Sequence, residues 1–145
     1  MRLLLLVALV AFPAAAHAQP QMQPGQWQFQ VNITSFDMPG APPQVVESVK
    51  KQSTNSRCFT PAEAAAGPLE MMKNRDKCNI TRQTMDGGKF DAVLVCERPD
   101  GTLTQTVSGT IAPTRITINS TAERTGQKAM KMTTVVTGER TGDCQ

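Results

Sequence analysis

Tyrosine is absent from this 145-residue chain, and its single histidine, His17, lies close to the amino terminus. No apolar run approaches the roughly 20 residues that a membrane-spanning helix requires. The longest, Leu3 to Phe12, is followed by small residues ending in Ala16-His17-Ala18. With Arg2 ahead of it, this is the charged start, apolar middle and A-x-A close of a secretory signal peptide. Cleavage is expected after Ala18, leaving residues 19–145 as one secreted β domain. Gln19 follows the cut, so no cysteine stands there to carry a lipid anchor.

The loss of His17 would strip the mature chain of imidazole, the usual proton-transfer group near neutral pH and the commonest metal ligand. Serine–histidine and cysteine–histidine catalysis are then excluded, as is histidine-ligated zinc. Strong charge is also lacking. The formal net charge is +3 and falls by one when Arg2 is removed. Lys50-Lys51 and Lys128 to Lys131 read as solvated strand edges, and nothing calls for nucleic acid or an anionic membrane.

Four cysteines are present: Cys58, Cys78, Cys96 and Cys144. An even count in an exported chain reads as two disulfides. No pair has the C-x-x-C spacing of a redox or zinc site. Between Cys78 and Cys96, Asp86-Gly87-Gly88 separates two β-prone runs and marks a hairpin. A three-residue loop closed by Met85 opposite Lys89 sets Cys78 opposite Cys96 and Ile80 opposite Leu94. A two-residue Gly87-Gly88 loop sends the cysteines to opposite faces, so the three-residue loop is the expectation. Cys58 then pairs with Cys144 by elimination, although Cys58 with Cys78 is not excluded.

The stretch Gly25 to Thr34 alternates strictly: Trp27, Phe29, Val31 and Ile33 against Gln26, Gln28, Gln30, Asn32 and Thr34. That is a strand with one buried face. Met38 to Pro43 is a proline-rich connection, and a second strand is expected over Val45 to Cys58 in preference to a helix. Thr60, Pro61 and Glu63 form a capping box with proline at the first helical position. Gly67-Pro68 stops this short helix, which resumes at Leu69 to Lys73. From Cys78 onward the pattern is all strand, turned at Arg98 to Gly101, at Ala112-Pro113-Thr114 and at Glu123 to Lys128. The fold expected is mainly β: a single antiparallel meander or barrel-like sheet with one short helix. Strand directions place all four thiols at one end.

Pro24-Gly25-x-Trp27, Met38-Pro39-Gly40, Cys58-Phe59-Thr60, lone Cys78 and Cys96, and Gly142-Asp143-Cys144 together resemble one bacterial exported family, domain of unknown function 3617. Gln28 stands where members usually carry Glu. The resemblance implies a periplasmic protein of the cell envelope and carries no established activity or catalytic residues. Under it, the sequons at Asn32, Asn79 and Asn119 are incidental to β-rich sequence.

Asp86, Asp91, Glu97, Asp100 and Asp143 are scattered around turns and suggest no glycosidase-type pair. "DGGKFD" lacks the oxygen ligands of a calcium loop. No cofactor is expected. The function expected is a non-catalytic, monomeric binding domain for an envelope protein or a small apolar ligand. Its site is expected at the mouth opposite the cysteine end, near Met38–Pro43. The alternative is Cu(I) handling by Met130 and Met132, thioethers on one strand face.

Overall fold

A computed structural model describes residues 21–145; the expected leader falls outside them. Seven strands form one antiparallel sheet: β1 (Gly25–Asp37), β2 (Ser53–Phe59), β3 (Asn79–Asp86), β4 (Lys89–Arg98), β5 (Gly101–Ile111), β6 (Arg115–Arg124) and β7 (Met130–Gly142). Helix α1 (Pro43–Val49) joins β1 to β2, and α2 (Pro61–Asp76) joins β2 to β3. The strand order is β2-β1-β7-β6-β5-β4-β3. A meander from β3 to β7 is thus extended by β1, which pairs with the last strand, and the sheet stays open between β2 and β3.

The expected strand over Val45–Cys58 is corrected at its start. Residues 43–49 are helical, with Pro43 in the first turn, where its missing N–H costs nothing. Pairing with β1 begins only at Ser53, opposite Val31. The upper half of β1 therefore has α1, not β2, beside it.

Alternation sorts the two faces. On the inner face Trp27, Phe59, Phe90, Leu94, Cys96, Val107 and Ile116 are buried. The outer face is a field of polar rows, among them Thr106, Thr121 and Thr133, which are cross-strand neighbours. Trp27 stacks on Phe29 and meets Phe59 edge-on, while its indole N–H donates to the Gln23 carbonyl at 3.0 Å.

Two aromatic rings lie against glycines on the inner face. Phe29 faces Gly138 and Phe90 faces Gly109. A Cβ at Gly138 would fall 2.5 Å from the Phe29 ring and 2.7 Å from Ile116. Glycine is required there for space, not for its backbone angles.

The β3–β4 hairpin corrects the expected register. Asp86 pairs with Lys89 across Gly87 and Gly88, both at positive φ, so the loop has two residues. This mirror-image turn matches the twist of the strands. That register alone would set the cysteines on opposite faces. A β-bulge at Thr81 removes the conflict: Arg82 pairs with Val93, yet Ile80 pairs with Leu94. One extra residue in β3 restores the alignment, and Cys78 is bonded to Cys96.

The same device recurs. Register shifts between β1 and β7 leave Thr34 and Thr141 as extra residues. Each bulge threonine donates its hydroxyl to a carbonyl across the ladder: Thr34 to Thr133 at 3.3 Å, Thr81 to Val93 at 3.2 Å, Thr141 to Gln26 at 3.2 Å. Two of these threonines close the Asn-Ile-Thr triplets, so those triplets encode an outward asparagine, an inward isoleucine and a bulge.

The expectation of thiols clustered at one end is also corrected. The Cys58–Cys144 bond sits at the end where β1 begins, Cys78–Cys96 at the end where β4 finishes. The reason is α2. Its 16 residues run on through the kink at Gly67 (φ 77°) and Pro68, and end at Lys77 in a left-handed cap. The chain is thereby carried from the lower end of β2 to the upper end of β3.

Candidate functional site

The path of α2 decides what the inner face leaves uncovered. The helix crosses that face from the foot of β2 to the head of β3. Its Ala64 and Leu69 are buried, and its Met71 and Met72 pack half-buried against the core. Such a diagonal leaves two corners. The lower one, near the end of β3, is filled by Met22. A cleft of about 170 Å³ remains there, lined by Met22, Ala64, Leu69, Met85 and Ile111 among others. It is smaller than the roughly 300–1,000 Å³ of a typical ligand pocket.

The upper corner, over β1, β7 and β6, is less deeply buried. Register puts three rows of side chains on that inner surface. They are Phe36, Met132 and Ala122; then Ile33, Thr134 and Ser120; then Val31, Val136 and Ile118. Ala122 is buried, whereas Val31, Ile33, Phe36, Met132, Val136 and Ile118 are only half-buried. All of these except Ala122 and Ile118 lie outside the packed core. The Thr34 bulge keeps this surface continuous: without it, strict alternation would turn Phe36 to the other face.

At the top of the corner stands a cation. Arg124 is opposite Met130 on β7 and Leu103 on β5. Its side chain is 27% exposed, its nearest acid is Asp100 at 3.6 Å, and its Nε is buried without a hydrogen-bond partner. An unpartnered buried donor costs about 1–3 kcal/mol. The position is held by two interlocked turns. Gln127 N–H donates to the Asp100 carbonyl, and Gly101 packs so closely on Thr125 that a Cβ would collide with its carbonyl oxygen.

The residues singled out from sequence are distributed unevenly about this corner. Met38–Pro43 follows the upper end of β1 and so adjoins it. The corner is not opposite a single cysteine end, since each end of the sheet carries a disulfide. Met130 and Met132 share the inner face, but Arg124 stands across from Met130. Of the scattered carboxylates, Asp86, Glu97, Asp100 and Asp143 serve turns and ion pairs, and Asp91 is exposed on β4. Glu97 accepts from Thr102 at 3.0 Å, and Asp100 faces Arg124. Glu63 accepts from the Thr60 backbone and hydroxyl and from Arg57, which together hold its carboxyl below the ordinary glutamate value. Lys131 is raised by its hydrogen bond to Glu123. Among the described residues, no group of three or more His, Cys, Asp or Glu side chains is placed to hold a metal ion. Sequence reasoning passed over Arg124, although alternation from Ile116 and Ile118 along the unbroken β6 already gives it the inward parity.

On the outer face, a polar cleft of about 290 Å³ is lined by Gln28, Gln30, Arg115, Thr117, Thr137, Gly138 and Glu139. Arg115 and Glu139 pair across it at 2.7 Å. Apart from Gly138, its lining residues all carry polar or charged side chains.

Fold and cross-links define an open, all-antiparallel β domain secured at both ends by disulfides. The chain belongs to the family described as Protein of unknown function (DUF3617), whose match covers residues 22–144. Neither a curated protein nor a solved structure matches it. Two disulfides are consistent with an oxidising compartment. No helix among the described residues is long and apolar enough to cross a membrane.

Proposed function

We propose that this is a periplasmic, non-catalytic binding domain. In this reading residues 1–18 direct export and are removed, and residues 19–145 hold an apolar ligand or partner surface in the cell envelope. One observation carries it: a half-buried apolar surface, Val31, Ile33, Phe36, Met132 and Val136, left outside the core of a scaffold cross-linked at both ends. Rigidity of that kind lowers the ordering cost of binding. The charged side chains support a non-catalytic role, since eight of them pair with one another at the surface: Arg57 with Glu63, Arg115 with Glu139, Lys131 with Glu123 and Arg140 with Asp143.

Native mass spectrometry on protein released from the envelope without detergent tests the reading. The expected spectrum shows a mature chain starting at Gln19, four half-cystines and an additional bound mass. A chain carrying free thiols and no ligand, with Ile33→Gln as soluble and as ligand-free as the parent, would count against it.

A further inference from the structure

The half-buried upper corner has a chemical polarity, and we infer from it that the ligand is a single-chain anionic amphiphile, a fatty carboxylate. This rests on the reading of the domain as a binder of apolar molecules and names the class of ligand.

Three features point the same way. The apolar surface is elongated along the strands: from the Arg124 row to the Ile118–Val136–Val31 row is six residues, about 20 Å at strand rise. An extended acyl chain fits that length. The surface is also a sheet face whose backbone groups are already spent in ladders with both neighbours of β7. An extended peptide laid there would leave its own N–H and C=O groups unpaired. An acyl chain has none to satisfy. Finally, among the described β1, β6 and β7 residues in the rows of this corner, the one charged side chain is a cation at one end. Arg124 has a buried, unpartnered Nε and only a distant acid, Asp100 at 3.6 Å. A guanidinium with spare donors is suited to a carboxylate, which it can grip with two parallel hydrogen bonds. The ligand would lie with its head at Arg124 and its tail over Met132, Phe36, Ile33 and Val136.

Displacement of cis-parinaric acid fluorescence from the oxidised exported protein, below the critical micelle concentration of each competitor, tests this. Dodecanoate is expected to displace the probe, dodecanol to do so at least tenfold less well, and dodecyltrimethylammonium least. Arg124→Gln should weaken dodecanoate by about tenfold or more, the weight of a charge-assisted hydrogen bond, and leave dodecanol unchanged. Asp100→Asn removes the competing acid and should tighten dodecanoate, a gain that misfolding does not produce. Met132→Gln and Ile33→Gln should weaken dodecanoate and dodecanol alike, with far-ultraviolet circular dichroism unchanged. Equal affinity for dodecanoate and dodecanol would overturn the anion assignment while leaving an apolar site. Unchanged binding in Met132→Gln and Ile33→Gln would overturn the location. Absence of saturable binding, or binding only to anionic phospholipid vesicles, would overturn the inference altogether.

Discussion

The ring of Phe29 occupies the space that a side chain on Gly138 would need. The two residues face each other across β1 and β7, and a methyl group at Gly138 would meet the ring at 2.5 Å and Ile116 at 2.7 Å. Gly138→Ala should therefore force Phe29 out of its place against Trp27. The expected loss is about 1–3 kcal/mol, typical of overpacking, measured as a lowered midpoint in urea. Gly109→Ala should cost at least as much, because its methyl group meets both the Phe90 ring and the Thr117 carbonyl.

Thr81 is the residue that brings Cys78 opposite Cys96 around a two-residue turn. Deleting it should leave the cysteines in register, since Arg82–Val93 would then continue directly into Ile80–Leu94. The expected product has no free thiol by mass after alkylation, and a stability lowered by about 1 kcal/mol for the lost hydroxyl bond to Val93. Were the turn three residues long, the same deletion would separate the cysteines and leave two alkylated sites.

The two disulfides should differ in accessibility to reductant. Cys58 and Cys144 are exposed, whereas Cys78 and Cys96 are 4% and 0% exposed. A dithiol in native buffer should open Cys58–Cys144 first, read by alkylation and peptide mass. Opening it releases a loop with a sequence separation of 86 residues and should lower stability by about 2–5 kcal/mol. Equal rates for both bonds would contradict the burial.

Glu63 anchors the start of α2 through Thr60 and Arg57, and its folded-state acidity is stronger than in the unfolded chain. A depressed carboxylate stabilises the fold above its unfolded value, near 4.5, and that contribution fades as the pH falls through the lower folded value. Unfolding midpoints of the parent and of Glu63→Gln should thus differ at pH 7 and converge at strongly acidic pH. A constant difference at every pH would show that the charge is not what matters.

Local chemistry was readable without coordinates where one residue or a short spacing carries the instruction. The alternation from Trp27 to Ile33 announces a strand with one buried face. Thr60, Pro61 and Glu63 announce a helix start, and both cap bonds form. Asp86-Gly87-Gly88 announces a hairpin. Its loop length did not follow, because parity counting assumes an unbroken ladder and a bulge changes parity by one. Residues 43–49 were ambiguous for a different reason: Val45, Val46 and Val49 suit either period, and Pro43 in the first turn favoured the helix start.

The sequence by itself determined the antiparallel sheet, the cysteine count and the absence of imidazole after residue 17, since these depend on side-chain type and short-range periodicity. Only the tertiary structure decided that the disulfides occupy opposite ends, that α2 covers one diagonal of the inner face, and that Arg124 borders a half-buried apolar corner. Those outcomes depend on how far a kinked helix carries the chain and on registers summed across three strands. Such long-range geometry has no signature in any single stretch of residues.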